Sequence, residues 1–264
     1  MLKRFLYVIG AYKIYEKWLW LQVKNDIKPE HIAIILDGNR RWANGQESNP
    51  WLQDKWGHKQ GADTVELLLD WCQMLGVKFV TLYTFSTENF SRKPEEIAKI
   101  MQIAEERFRK LSTDERVHKN KVRVKVIGRI NLLPDSLRKS IEDVEKATEN
   151  YDNYFWNFAF AYGGRAEIVD ATKTIALKVK NGELNVDDVT ENTFEKYLYT
   201  SHMIKQDPDM IIRTSGEERL SGFLLWQAAY SELLFLDVYW PDFRLIDLLR
   251  AIRVFQQRKR RFGA

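Results

Sequence analysis

The chain has 264 residues, 45% hydrophobic and 13% aromatic, with only 13 Gly and 6 Pro; this excludes collagen-like, low-complexity and disordered classes and suits a single large α/β domain. A lone cysteine, Cys72, excludes an intramolecular disulfide and a cysteine-cluster metal site. A reducing, cytoplasmic setting is therefore expected, and any metal must take oxygen or histidine ligands. The net charge of +4 is too small to call for nucleic acid, and none is expected as a partner, although the run Arg258-Lys259-Arg260-Arg261 gathers positive charge near the C-terminus.

Residues 1–28 are expected to form an N-terminal amphipathic helical extension ahead of a domain over 29–264. The apolar run Phe5 to Tyr12 is broken by Lys13, Glu16 and Lys17, well short of the roughly 20 residues that span a bilayer, and no small-residue cleavage signature follows it. On a helical wheel Lys13, Glu16, Lys17 and Lys24 share an arc of about 100°, opposite Phe5, Val8, Tyr12, Tyr15, Trp18 and Leu19. Two readings stay open: packing on its own domain or a partner chain, and peripheral contact with a membrane surface, here the inner face of the cell membrane.

From residue 29 the pattern alternates. His31 to Leu36 reads as a buried strand closed by Asp37-Gly38. A polar loop over 44–56 and a helix over 58–75 follow, the latter stopped by Gly76. Phe79 to Phe85 is the second strand, and a helix over 94–111 opens with proline. Further strands are expected over 122–127, 154–161, 210–212 and 233–236, with helices over 135–150, 165–180, 190–203 and 244–260. This order predicts a mainly parallel sheet of about six strands flanked by helices. Ligands of such sheets bind beyond the carboxyl ends of the strands.

Those ends carry the chemistry. Asp37-Gly38-Asn39-Arg40-Arg41-Trp42 places a carboxylate, a flexible glycine and two guanidiniums within six positions, which suits Mg²⁺ with phosphate. Gly57-His58-Lys59-Gln60-Gly61 opens the next helix, whose free N–H groups attract the same anion. Ser86-Thr87-Glu88-Asn89-Phe90-Ser91-Arg92 follows the second strand, and Arg213-Thr214-Ser215-Gly216 with Arg219 and Ser221 makes a second anion site. Taken singly, each arginine reads as a solvated charge and Asp37 as a turn former; together they suggest a reaction between two phosphorylated substrates. No GxxxxGK[ST] loop, no GxGxxG after the first strand and no nucleophile elbow is present, which weighs against NTPase, dinucleotide and serine-hydrolase classes.

HIAIILDGNRRWA, GHKQGA, LYTFSTENFSR, AYGGR, IRTSGEERLSGFLLWQAAYSELLF and DVYWPDF resemble, in order and spacing from about residue 30 to the end, the cis-prenyltransferases of the undecaprenyl diphosphate synthase family. The resemblance implies a parallel-sheet fold, a homodimer, an apolar tunnel for the growing isoprenoid, and two substrates, an allylic prenyl diphosphate and isopentenyl diphosphate. The product would be a cis-polyprenyl diphosphate, precursor of a lipid glycan carrier.

Carried over by position, Asp37 would hold Mg²⁺, and Gly38, Asn39, Arg40, Arg41, Trp42 and His58 would cradle the allylic diphosphate. Arg213, Arg219, Leu220 and Ser221 would bind the second diphosphate. Glu232, with Glu218, would complete the metal shell from the same or the neighbouring subunit. Asn89, helped by Ser86, would handle the proton lost from the acceptor, with Thr87, Glu88, Phe90 and Arg92 lining that region. Arg261-Phe262-Gly263 resembles the family's Arg-x-Gly tail, so Arg261 and Gly263 would reach a partner subunit's diphosphate. Leu67, Leu68, Ile97, Ile100, Met101 and Ile103 would line the tunnel.

One departure matters: four residues before His58, where the family has Arg, stands Asp54, with Lys55 as the nearest substitute. Two other readings are therefore kept, a single non-elongating transfer to another acceptor and a non-catalytic membrane-bound partner subunit. The presence of Asp37, Asn89 and Glu232 argues against the second.

Overall fold

The computed structural model describes residues 11–45 and 55–258. In chain order it has α1 (Ala11–Val23), β1 (His31–Ile35), α2 (Asn39–Asn44), α3 (Lys55–Met74), β2 (Phe79–Ser86), α4 (Pro94–Leu111), α5 (Glu115–Lys119) and β3 (Val122–Ile127). It continues with α6 (Asp135–Thr148), β4 (Tyr154–Tyr162), α7 (Gly164–Lys180), α8 (Glu191–Glu195), β5 (Met210–Arg213), β6 (Glu232–Phe235) and α9 (Leu245–Gln257). The six strands form one sheet in the order β3-β4-β2-β1-β5-β6, and every pairing is parallel.

The single-domain α/β layout with a parallel six-stranded sheet is the expected one. β1 is buried at all five positions, as a strand covered on both faces must be, and its continuous HIAII run reflects that. Helix packing completes the cover. Leu68, Leu69 and Cys72 of α3 join Leu82 and Phe85 of β2, Met101 and Phe108 of α4 and Leu248, Leu249 and Ile252 of α9 in one core. Each such aliphatic or aromatic side chain contributes roughly 1.5–3 kcal/mol by leaving water.

Local chemistry explains the boundaries. Pro94 opens α4 with Glu95 and Glu96 in its first turn and Arg109 and Lys110 in its last, the charge order that a helix dipole favours. Asp114 caps the short α5 by accepting the Arg116 N–H. Neither α2 nor α5 was expected, and the helix expected over 190–203 runs only from Glu191 to Glu195. Beyond it the Tyr199 N–H donates to the buried Glu167 carboxylate at 2.9 Å, so a side chain takes a donor that a continuing helix would have used.

The extension packs on its own domain over the described part. Leu19 and Val23 are buried, and Gln256 of α9 donates to the carbonyls of Val23 and Ile27 at 3.2 and 3.0 Å. Arg244, Arg250 and Arg253 lie over the rings of Tyr12, Tyr15 and Trp18, 5.1–5.6 Å from their centroids. Phe5 and Val8 lie outside the described residues, as do most of the loop expected over 44–56, Asp54, Arg261 and Gly263. No helix among the described residues is long and apolar enough to cross a membrane.

Candidate active site

β1 turns sharply at its carboxyl end. Gly38 takes φ 107°, in the left-handed region, and a Cβ there would stand 2.8 Å from Tyr239 Cδ1; glycine is required on both counts. The turn aims the Asp37 carboxylate back toward β5, the neighbouring strand. Arg213, the last residue of β5, donates from Nη2 to Asp37 Oδ2 at 2.8 Å and from Nη1 to Ser221 Oγ at 2.8 Å, and it also holds the Arg219 carbonyl. Arg41 lies 3.3 Å from Asp37 Oδ1, donates to Ser215 Oγ at 2.7 Å and pairs with Glu217 at 3.1 Å. Asp37 is therefore the hinge between the two arginine-rich loops. Burial raises its pKa, but the Arg213 hydrogen bond and charge, then Arg41, outweigh that and hold it below the usual carboxylate value.

Around this centre opens a cleft of about 1130 Å³. Of the residues singled out by sequence, Asp37, Gly38, Asn39, Arg40, Arg41, His58, Ser86, Thr87, Glu88, Asn89, Arg92, Arg213, Arg219 and Ser221 line it. His58 falls in the first turn of α3, which begins at Lys55 rather than at His58. It is kept below its ordinary pKa by burial, against the pull of Glu96, and so is neutral at pH 7. Ser86 and Asn89 form a reciprocal capping box around the turn Thr87–Ser91, with the Ser86 N–H donating to Asn89 Oδ1 at 3.1 Å. The carbonyl of Asn89 is thus committed, leaving its NH₂ donors as the group to offer a ligand.

Several expected residues lie elsewhere. Trp42, Phe90 and Leu220 are outside the cleft lining. Phe90 packs edge-on against Phe85 at 5.0 Å, Leu220 packs on a second core cluster, and the buried Trp42 indole N–H has no protein partner. Glu218 is exposed and outside the lining, whereas its neighbour Glu217 is within it. Glu232 opens β6 in register with Met210, the first residue of β5, and pairs with Arg258 at 2.6 Å. It stands at the opposite end of the sheet from Asp37, so the two cannot share a metal within one chain.

Sequence reasoning missed Glu96, in the first turn of α4, which is 3.0 Å from Arg92, 3.4 Å from His58 and 4.0 Å from Arg40. It also missed Arg165, Gly163 and Gly164 at the start of α7, which line the cleft; the AYGGR motif at a strand's carboxyl end was the available signal.

The cleft shares Leu36, Asn39, His58, Thr84 and Ile100 with an adjoining apolar cavity of about 140 Å³ that runs between α3 and α4. Of the residues expected along a tunnel, Ile100 and Ile103 line that cavity. Leu67 is exposed, Leu68 and Met101 are core residues, and Ile97 packs against the core. The lining comes instead from Ala62, Val65, Leu69, Ala104, Phe108 and Leu111, among others.

Comparison with known proteins agrees with the geometry. The family model of undecaprenyl diphosphate synthases matches residues 35–263. A tritrans,polycis-undecaprenyl-diphosphate synthase, geranylgeranyl-diphosphate specific, from Pyrococcus abyssi is 54% identical over 96% of this chain and 94% of that protein. The crystal structure of lavandulyl diphosphate synthase from Lavandula x intermedia in complex with dimethylallyl diphosphate has a TM-score of 0.84 at 34% identity, covering 90% of this chain and 99% of that one. A probable undecaprenyl diphosphate synthase from Campylobacter jejuni gives 0.71 at 30% identity, over 90% and 100%. With its two anion loops meeting at Asp37 and its motifs matched over almost its whole length, the chain belongs to the undecaprenyl diphosphate synthase family of cis-prenyltransferases, which condense an allylic prenyl diphosphate with isopentenyl diphosphate into a cis-polyprenyl diphosphate.

Proposed function

We propose that this enzyme extends geranylgeranyl diphosphate by repeated addition of isopentenyl diphosphate to an undecaprenyl-class product, a lipid glycan carrier precursor, using Mg²⁺. The observation that carries the reading is the continuity of the arginine-lined cleft with the apolar cavity between α3 and α4, which serves as the tunnel for the hydrocarbon. Donor choice follows the relatives that are geranylgeranyl-diphosphate specific.

Arg40, Arg41, His58 and the free N–H groups of α3's first turn receive the donor diphosphate, whose negative charge grows as the allylic carbon–oxygen bond ionises. Arg213, Arg219 and Ser221 hold the acceptor diphosphate, so its alkene faces the allylic cation and the orientation term is supplied before reaction. Asn89 positions the acceptor through its NH₂. A carboxamide is too weak a base to take the departing proton, which passes to a diphosphate oxygen.

Among the described residues no group of three or more His, Cys, Asp or Glu could hold a metal alone. The fit for Mg²⁺ is nonetheless good, because this ion needs only one or two carboxylates beside substrate phosphates, and Asp37 is ionised and faces the cleft. When bound, Mg²⁺ would neutralise charge developing on the leaving diphosphate. Glu232 of the partner subunit would complement Asp37 in a homodimer, a reading supported by the place of this chain's own Glu232 at the other end of the sheet from Asp37. Glu218 is a weaker second candidate, being exposed at the loop. The Arg-x-Gly tail, Arg261 and Gly263, is assigned to the partner's diphosphate.

The test is incubation with Mg²⁺, carbon-14 isopentenyl diphosphate and allylic diphosphates of several lengths. A ladder of prenyl diphosphates, longest and fastest from the twenty-carbon donor and lost in Asp37→Ala, is expected. Donor consumed without label incorporation would overturn elongation in favour of a single transfer.

A further inference from the structure

Away from the cleft, a cluster of charged residues lies where α3 runs beside α4. Arg107 of α4 bridges Asp63 and Glu66 of α3. The second oxygen of Glu66 accepts from Lys110 Nζ at 2.8 Å, with Arg116 at 3.7 Å. Burial raises the pKa of Glu66, but its bonds to Lys110 and Arg107 bring it below the ordinary value, so the carboxylate is ionised. Both Glu66 and Arg107 are only about one-quarter exposed, at 22% and 26%.

Their position is what matters. The cavity-lining residues of α3 are His58, Gly61, Ala62, Val65, Glu66 and Leu69, and those of α4 recur at the same spacing from Ile100 to Leu111, which is one stripe of each helix facing the other. Both stripes start at the cleft and run away from it. Glu66 is eight residues, about 12 Å of helix, beyond His58, and Arg107 meets it from the opposite wall. A formal ion pair thus links α3 to α4 along a mainly apolar channel, just before Leu69, Phe108 and Leu111.

We infer that the Glu66–Arg107 bridge, with Asp63 as its second anchor, is a specificity-determining element that limits product length; this rests on the reading of the cavity as the hydrocarbon tunnel. Two effects act in the same direction. The bridge ties α3 to α4 and resists the separation that a longer chain needs. A hydrocarbon pushed past it strips the remaining water from two charges, a cost that grows once the chain tip reaches them. Units added before that point cost nothing extra, and units added after it are opposed.

The full-length double variant Glu66→Leu/Arg107→Leu removes both charges together, and the partners it frees, Asp63 and Lys110, are about half exposed and stay solvated. With labelled isopentenyl diphosphate and a fixed allylic donor, the product distribution is expected to move up by about one or two isoprene units. Arg107→Lys keeps the charge but lacks the planar fork whose two NH₂ groups serve Glu66 and Asp63 separately, and is expected to shift it less, in the same direction. Circular dichroism checks folding; should the double variant fail to fold, Arg107→Lys decides. An unchanged distribution in a folded variant overturns the inference while leaving the elongation reading intact. No ladder from the unmodified protein overturns the elongation reading and this inference with it.

Discussion

Arg213 is the residue through which the two halves of the site communicate. It is 5% exposed and serves an acceptor on each side, Asp37 and Ser221, with the Arg219 carbonyl between. Lysine offers one ammonium where the guanidinium offers a planar fork, so Arg213→Lys loses at least one of these bonds. The expected result is a rise of about tenfold or more in the KM for isopentenyl diphosphate, corresponding to about 1.4–3 kcal/mol for a lost charged hydrogen bond. Steady-state kinetics with each substrate varied in turn checks it; an unchanged acceptor KM would remove Arg213 from the acceptor site. At this scale the sequence was informative about which residue types gather at strand ends. It was silent about Glu96, because a glutamate in the first turn of a helix is ordinary dipole chemistry and only the fold brings Arg40, His58 and Arg92 to it. Trp42 and Leu220 show the converse: adjacency to a motif does not decide which way a side chain points.

Elements were the most readable level. The strands reproduce the expected ones to within a residue or two because continuous apolar runs bounded by turn residues have few other solutions in an α/β chain. Short helices such as α2 and α5 escaped because five or six residues carry too little periodicity. Two histidines, His31 buried and His202 partly buried, give the sheet an acid sensitivity. His31 at the start of β1 shares a hydrogen bond with Thr81 at 2.8 Å, and His202 pairs with Asn157 on β4 at 2.8 Å. Burial, chiefly, lowers each from 6.5 to about 4. Between these values the unfolded chain binds protons that the folded chain refuses, so stability is fully present above pH 6.5 and falls as pH drops toward 4. Denaturant unfolding at pH 7 and pH 5 is expected to show a loss of a few kcal/mol, of which His202→Gln removes a part. Equal loss with and without His202 would acquit that residue.

For the whole molecule, α1 is the element that presents two different faces. Leu19 and Val23 face α9, while Ile14, Trp18 and Leu21, at 71%, 46% and 50% exposure, face out. These three recur at i, i+4 and i+7, flanked by Lys13, Lys17, Lys24 and Lys28. An outward apolar stripe with basic borders fits the anionic surface of a lipid bilayer, with the aromatic ring at headgroup depth. The protein is expected to co-sediment with vesicles containing anionic phospholipid, and Ile14→Glu/Leu21→Glu to remain in the supernatant with its fold intact. Absence of binding by the unmodified protein would leave α1 as a structural brace alone. Sequence held both readings of this helix open, since an amphipathic pattern records that a face is apolar and not what covers it.

The strand order carries a consequence for how the enzyme comes into being. β1 lies between β2 and β5, and its contacts on the β5 side, such as Ile34 beside Ile212, join residues about two-thirds of the chain apart. Until the ribosome has delivered residues 210–213, the N–H and C=O groups along one edge of the apolar strand β1 are unpaired, the kind of surface that recruits wrong partners. The Asp37–Arg213 link cannot exist before that moment. A chain halted short of it has only the first of the two arginine-rich loops and an exposed strand, so delivery of residues 210–213 joins the two loops at Asp37 and closes an edge open to wrong partners.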